Sequence, residues 1–266
     1  MAQKFVARMG GLGKKNFGRT AAALREDFPF GKFLPNGLTL LGLCSGTTAI
    51  PFAFAGQWKA AVIAILFAAM FDALDGRVAR LFHVDSAFGA QLDSLADLVS
   101  FGIAPGLVVY LWSLHHAQSA GWAVALIYCA CCAIRLARFN VEAAERDPLA
   151  PPDPHFTGLP TPAAACLILL PMLMGFQFHT QVFANPLLNA FVMGVMSLLM
   201  VSRIPTLSVK HLHIPKAMRP GIAGFVGLLL CSAVLWPWAT MTTALLIYLA
   251  MIPVSAFSHV NEDDDN

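Results

Sequence analysis

Four aspartates between positions 72 and 97 sit where an apolar chain can least tolerate them. Asp72, Asp75, Asp93 and Asp97 occur in the stretch DALDGRVARLFHVDSAFGAQLDSLAD, inside or beside two long apolar segments. An ionised carboxylate deep in a bilayer costs roughly 2.5–3.5 kcal/mol, so four without compensation would cost about 10–14 kcal/mol. Arg77 and Arg80 lie close by, but two guanidinium groups cannot balance four carboxylates. A carboxylate–arginine network that merely neutralises itself is therefore the poorer reading. Oxygen ligands with no Cys or His beside them suit hard cations such as Mg²⁺, Mn²⁺ or Ca²⁺ rather than zinc. One or two such ions can clamp a pyrophosphate and stabilise both the attacking and the leaving oxygen. The chemistry expected here is metal-assisted work on a phosphate-bearing substrate.

The spacing fits two antiparallel helices joined by a tight turn near His83–Ser86. At about 1.5 Å per residue, Asp75 and Asp93 fall about 13–14 Å from the turn and Asp72 and Asp97 about 19 Å, as two facing rungs. Asp72 and Asp75 are three apart, while Gly89, Asp93 and Asp97 step by four, so each set shares a helix face. Gly76 and Ala79 continue the first face with almost no side chain, so a substrate's phosphates can approach the backbone there. Arg80, one turn beyond Gly76, is placed to pair with a phosphate in bidentate fashion. Asp85 falls in the turn and reads as a solvated charge.

The rest of the chain must carry this hairpin in a membrane. Of 266 residues 58% are hydrophobic and 12% charged, with mean hydropathy +0.67, whereas soluble domains carry about 25% charged residues. Eight apolar segments run roughly over 35–55, 58–82, 87–113, 120–141, 159–177, 182–202, 218–236 and 238–257. Each is near the about 20 residues a spanning helix needs, and the last two, split by Pro237, also suit a re-entrant hairpin. The fold class expected is an all-α polytopic bundle. The six cysteines all fall within apolar runs without CxxC or zinc spacing, and read as small buried hydrophobes. The basic stretch 1–33 is not followed by a continuous apolar core with a small-residue cleavage site, so a cytoplasmic tail is expected rather than a removable signal peptide.

Orientation follows from charge. With the N-terminus inside, sixteen of the seventeen Lys and Arg residues fall on the inner side, and only Lys59 falls outside. The acidic end EDDDN then returns to the cytoplasm as a solvated, irregular tail. Two inner connections have their own character. ERDPLAPPDPHF (145–156) is a proline-rich loop, and SRIPTLSVKHLHIPKAMRP (202–220) is basic and punctuated by proline. Nothing in these charges points to nucleic acid.

The acidic stretch resembles the CDP-alcohol phosphotransferases, whose signature is D-x2-D-G-x2-A-R-x8-G-x3-D-x3-D. Asp72, Asp75, Gly76, Ala79, Arg80, Gly89, Asp93 and Asp97 fill all eight fixed positions with the right gaps. The resemblance implies a helical membrane enzyme that moves a phosphatidyl group from a CDP-linked lipid to an acceptor hydroxyl and releases CMP. It implies Asp72, Asp75 and Asp93 as metal ligands and Asp97 as the base, also able to touch a metal. Asn36, Thr39, Gly76, Ala79, Arg80 and Gly89 would line the CDP-lipid site, with Mg²⁺ or Mn²⁺ as the cofactor.

PNGLTLLGLCSG (35–46), DSLADLVSFGIAPG (93–106), RLARFNV (135–141), FTGLPTPAAA (156–165) and MVSRIPTLSVK (200–210) resemble the phosphatidylserine synthase branch. That branch implies CDP-diacylglycerol and L-serine as substrates, a homodimer, and a site on the cytoplasmic face of the inner membrane. Arg135, Arg138 and Asn140 read either as positive-inside anchors or as acceptor-binding residues, and the branch favours the latter; Lys210 is the basic-loop residue expected to reach the site. The implied organisation is a basic tail (1–33), a six-helix catalytic core (34–210), a C-terminal helical pair (211–258) and an acidic tail (259–266). Glycerol 3-phosphate, inositol phosphate or choline as acceptor would preserve the acidic signature. A cation-coupled transporter or a non-enzymatic scaffold would not explain the spacing of Gly76, Ala79 and Gly89.

Overall fold

The computed structural model describes residues 30–82, 86–145, 156–202, 205–206, 231–232 and 234–263. The basic tail up to residue 29, most of the expected turn at His83–Ser86, the loop 146–155 and most of 202–220, including Lys210, lie outside the described residues.

The first two helices make a long hairpin. Helix α1 (Phe30–Phe54) begins inside the stretch expected to be an N-terminal tail, because Pro35 keeps a helical φ and forfeits only one backbone bond. It ends at Gly56, whose φ of +70° lets the chain reverse into helix α2 (Trp58–Phe82). Small residues bring the two backbones together: Ala49 and Ala53 on α1 and Ala61, Ala64 and Ala68 on α2 are all buried. The Ser45 hydroxyl adds a bond to the Ala64 carbonyl at 2.8 Å.

Helix α3 (Ala87–Asp97) starts at Ser86, whose Oγ accepts from the Gly89 N–H at 3.0 Å. At Asp97 the winding changes. Residues Leu98–Ile103 form a π-helical segment, with the Ala104 N–H donating to the Val99 carbonyl, and helix α4 (Ala104–Trp112) resumes the usual pitch. Pro105 has no N–H, so the Phe101 carbonyl four residues earlier lacks its usual donor. The fully buried Tyr128 hydroxyl supplies one at 2.9 Å, from helix α5 (Gln118–Glu145). The Cys129 Sγ reaches the next carbonyl, that of Gly102, at 3.4 Å. One continuous segment had been expected over 87–113; it is three windings, with the register change placed just after the last aspartate.

The expected single segment 159–177 is likewise divided. Helix α6 (Thr161–Ile168) and helix α7 (Leu170–Phe178) meet at Leu169, where Pro171 removes a backbone donor. Helix α8 (Pro186–Val201) is capped by Asn185, whose Oδ1 accepts from the Leu187 N–H at 2.8 Å. Strands β1 (Phe156–Thr157) and β2 (Pro205–Thr206) pair antiparallel, a feature that apolar periodicity does not reveal. The last helix, α9 (Pro237–Asp263), begins at the proline expected to separate the final two segments. It stays helical to Asp263, so the acidic end is not irregular from residue 259; no Gly or Pro follows Pro253 to stop the helix.

Four stretches among the described residues are long and apolar enough to cross a membrane: Leu34–Phe54, Phe88–Trp112, Leu114–Glu145 and Thr161–Phe178. Pro186–Val201 and Pro237–Met251 are shorter apolar helices. Helix α2 matches them in length, but Lys59, Asp72, Asp75, Arg77 and Arg80 give it more charge than lipid alone would accommodate. Leu41, Phe67, Ile127, Ile134, Phe191 and Leu198 are exposed on the outer faces, as suits a protein embedded in lipid.

Candidate active site

Two helices bring the aspartates together. Asp72 and Asp75 project from one face of α2, and Asp93 projects toward them from α3. One carboxylate oxygen from each lies within 4.8 Å of the others. Asp97, one turn further along α3, lines the same small cavity with Thr39, Gly42 and Leu43 of α1 and Ala68 of α2. Ala96, Ser100 and Phe101 close it from α3 and the π segment. Two equal rungs had been expected. Instead Asp72, Asp75 and Asp93 cluster and Asp97 stands beside them, because Asp72 and Asp75, three residues apart, both turn toward the same partner helix.

The cavity holds about one water-sized body, which is also the scale of a bare ion. Ligands on one Mg²⁺ at about 2.1 Å stand at most about 4.2 Å apart, so this cluster needs only a small contraction to close on a cation. Three carboxylates held this near one another repel, and the donor set is all oxygen. On both counts the residues fit a divalent metal.

Thr39 has a more specific place than lining. Its hydroxyl lies 2.8 Å from Asp75 Oδ2 and 3.1 Å from the Pro35 carbonyl, and its single proton goes to the nearer, charged acceptor. Asp75 is only 5% exposed, so this bond fixes the orientation of a carboxylate that has little water to turn to. Asn36 lies one turn earlier, against Gly89: a Cβ on Gly89 would stand 3.1 Å from Asn36 Oδ1 and 3.0 Å from Ser86 Oγ. Glycine at 89 thus lets the start of α3 approach α1. Gly76 is half-buried on α2, and Arg77 is exposed and does not line the cavity. Ala79 and Arg80 continue the helix, but their side chains lie outside the described residues.

The inner end of α5 carries the residues expected to meet the acceptor. Arg135 is half-buried, and its Nη1 lies 3.5 Å from Thr161 Oγ1 at the start of α6. Its Nε is buried and has no hydrogen-bond partner among the described residues. Arg135 also lies within electrostatic reach of Asp97. Arg138 points elsewhere, its Nη1 donating to the Val201 carbonyl at the end of α8 at 3.0 Å. Asn140 Oδ1 accepts from Ser94 Oγ at 3.0 Å, tying α5 to α3 beside Asp93.

Three site-forming features escaped the sequence reading: the π winding at Leu98–Ile103, Thr161, and Ser94. Pro105 eight residues after Asp97 was the available signal for the first. A close approach marks it too, since a Cβ on Gly46 of α1 would stand 2.5 Å from Ser100 Oγ and 2.8 Å from its Cα.

Comparison with known proteins agrees with this geometry. The sequence profile of the CDP-alcohol phosphatidyltransferase family matches residues 32–202. A CDP-diacylglycerol–serine O-phosphatidyltransferase of Mycobacterium bovis is 37% identical over 233 residues, covering 85% of this chain and 79% of the relative. The Bacillus subtilis protein of the same name is 34% identical over 173 residues, covering 65% of this chain and 88% of its own length. An archaetidylserine synthase of Methanothermobacter thermautotrophicus is 37% identical over 173 residues, covering 64% and 68%. With four signature aspartates around one cavity and the profile spanning α1 to α8, the chain belongs to the CDP-alcohol phosphatidyltransferase family.

Proposed function

We propose that the protein transfers the phosphatidyl group of CDP-diacylglycerol to the hydroxyl of L-serine, forming phosphatidylserine and releasing CMP. The observation that carries this reading is the convergence of Asp72, Asp75 and Asp93 within 4.8 Å, beside Asp97, in a chain of this family. The names of the mycobacterial and Bacillus relatives support serine as the acceptor.

In this reading Asp72, Asp75 and Asp93 hold one or two Mg²⁺ or Mn²⁺ ions. A divalent ion held there would supply charge stabilisation to the pyrophosphate as the phosphorus–oxygen bond to CMP breaks. Asp97 takes the proton of the serine hydroxyl as that oxygen bonds to the phosphorus on the diacylglycerol side. Thr39 keeps Asp75 in its binding orientation, and Asn36, Gly76, Ala79, Arg80 and Gly89 line the CDP moiety. Arg135 offers its open Nε–H to the serine carboxylate. Asn140 and Arg138 brace the inner end of α5 through Ser94 and Val201, and Lys210 is the basic-loop residue assigned to the same acceptor. A phosphate-bearing acceptor would call for both arginines. The commitment of Arg138 to the Val201 carbonyl favours a single carboxylate instead.

The arrangement we propose has eight spans: six in the core (34–210) and two in the C-terminal pair (211–258), between a basic tail (1–33) and an acidic end (259–266). It lies in the inner membrane as a homodimer with its N-terminus and site on the cytoplasmic face, a placement supported by the one-sided distribution of Lys and Arg. The test is CMP release from CDP-diacylglycerol in detergent with serine, glycerol 3-phosphate, inositol phosphate or choline supplied singly. Release with serine alone, dependent on Mg²⁺ or Mn²⁺, is expected. Release only with another acceptor overturns the assignment to serine, and no release with any acceptor overturns the enzyme reading.

A further inference from the structure

The end of the bundle opposite the aspartates carries a second cavity. Its volume is about 420 Å³, and Gly56, Gln57, Trp58, Lys59, Ala60 and Phe176 line it. That is the size of a small-molecule pocket, roughly 300–1,000 Å³. Gly56 turns the chain from α1 into α2, and a Cβ there would meet nothing within 4 Å. Lys59 stands in the first turn of α2, about 20 Å along the axis from Asp72, the nearest acidic residue on that helix. Its Nζ lies 5.9 Å from the ring centroids of both Phe176 of α7 and Trp238 of α9. The two rings meet edge to face, with centroids 5.2 Å apart. Such rings attract an ammonium through their quadrupoles but carry no charge to neutralise it. Carboxylates are absent from this end as well. The sequence has no Asp or Glu between Asp27 and Asp72, between Asp97 and Glu142, or between Asp153 and Glu262.

The same end meets the boundary between lipid and water. All five tryptophans lie at helix ends here: Trp58 opens α2, Trp112 closes α4, Trp122 stands near the start of α5, and Trp236 and Trp238 flank the start of α9. Trp112 lies against Gly175 of α7 and Trp122 against Tyr110, which joins them to the Phe176–Trp238 pair. Tryptophan gathers at the headgroup level of a bilayer. We propose that this cavity binds an anionic phospholipid, with the lipid phosphate paired to Lys59 and an acyl chain against Trp58, Ala60 and Phe176. The apolar wall gives a free phosphate ion nothing to bind, and the uncompensated lysine favours a net negative headgroup over a zwitterionic one. Lys59, Phe176 and Trp238 belong to α2, α7 and α9, so a lipid seated there ties the last helix to the core, remote from the chemistry.

The test follows thermal unfolding of the full-length protein in detergent as dioleoyl phosphatidylglycerol, dioleoyl phosphatidylcholine or inorganic phosphate is titrated in. A ligand that binds the folded state raises the midpoint by mass action. Phosphatidylglycerol is expected to raise it by several degrees in wild type and in Lys59→Arg. In Lys59→Gln the half-saturating lipid concentration should rise about fivefold or more, the loss of one contact between lysine and an anionic lipid. Each shift is a difference within one preparation, so a lower starting stability of Lys59→Gln cancels. Equal half-saturation in wild type and Lys59→Gln overturns the site, because the lipid then binds elsewhere, the aspartate cavity included. An equal shift with phosphatidylcholine or with inorganic phosphate overturns the anionic lipid as occupant. So does a dimer that Lys59→Gln dissociates while no lipid shift is seen, which gives the cavity to a second copy of the chain.

Discussion

Replacing Thr39 by valine removes one hydroxyl and leaves the shape of the side chain nearly unchanged. The lost group is the donor 2.8 Å from Asp75 Oδ2, on a carboxylate 5% exposed and clustered with Asp72 and Asp93. A hydrogen bond to a charged group contributes about 1.5–3 kcal/mol, which corresponds to roughly 10–150-fold in an equilibrium constant. Partners that orient metal ligands typically affect metal affinity by about 10–100-fold. The expected effect of Thr39→Val is therefore a rise of at least about tenfold in the Mg²⁺ or Mn²⁺ concentration giving half-maximal CMP release. Thr39→Ser keeps the donor and should stay within about threefold of wild type, as it loses only a methyl group. The assay is CMP release titrated with metal at saturating CDP-diacylglycerol and serine. Half-saturation within twofold of wild type for Thr39→Val would refute the orienting role, as would equal damage from serine and valine.

Three further outcomes follow from the same packing. Asp97→Asn should lower turnover more than the affinity for CDP-diacylglycerol, whereas Asp72→Asn should chiefly raise the metal requirement; equal loss of both quantities in both variants would undo that division. Tyr128→Phe leaves the Phe101 carbonyl without the donor that Pro105 cannot provide. A buried unsatisfied carbonyl costs about 1–3 kcal/mol, so the melting temperature in detergent should fall by several degrees, and an unchanged value would count against the π-segment account. Gly46→Ala places a Cβ 2.5 Å from Ser100 Oγ and 2.7 Å from its Cβ, forcing α1 away from the π segment. Overpacking of this kind costs about 1–3 kcal/mol, and since Thr39, Gly42 and Leu43 on the same helix line the cavity, activity should fall along with the melting temperature.

The acidic hairpin was legible because charge in an apolar helix is improbable without a purpose, and because helical spacing alone puts Asp72 with Asp75 and Asp93 with Asp97. The grouping of three aspartates with a fourth beside them, which the family resemblance implied, was not legible from spacing. It depends on how α2 and α3 rotate against each other, and no repeat in the sequence encodes that rotation. Thr39 was placed near the site by its position in the first helix, but its partner, Asp75, lies 36 residues away. Residues paired across such distances, including Ser94 with Asn140 and Arg138 with Val201, are set by packing between helices rather than by local pattern. Pro105 and Pro171 were visible as letters, yet each only states that a donor is missing. What the chain does about it, a π winding at one and a broken helix at the other, is decided by neighbours such as Tyr128. The C-terminal helix offered no readable chemistry because the residues it turns inward, Trp238, Met241, Leu245 and Leu249 among them, are apolar and pack against the core.

The most direct test of the central claim follows labelled serine into lipid. Purified protein is given CDP-diacylglycerol, radiolabelled L-serine and Mg²⁺ or Mn²⁺, and chloroform-soluble label and CMP are measured in the same reaction. Equal molar amounts of labelled lipid and CMP are expected from wild type. Removal of the metal by a chelator, or the Asp93→Asn substitution, should abolish both. Labelled lipid formed at the wild-type rate by Asp93→Asn, or CMP released without labelled lipid, would contradict the account.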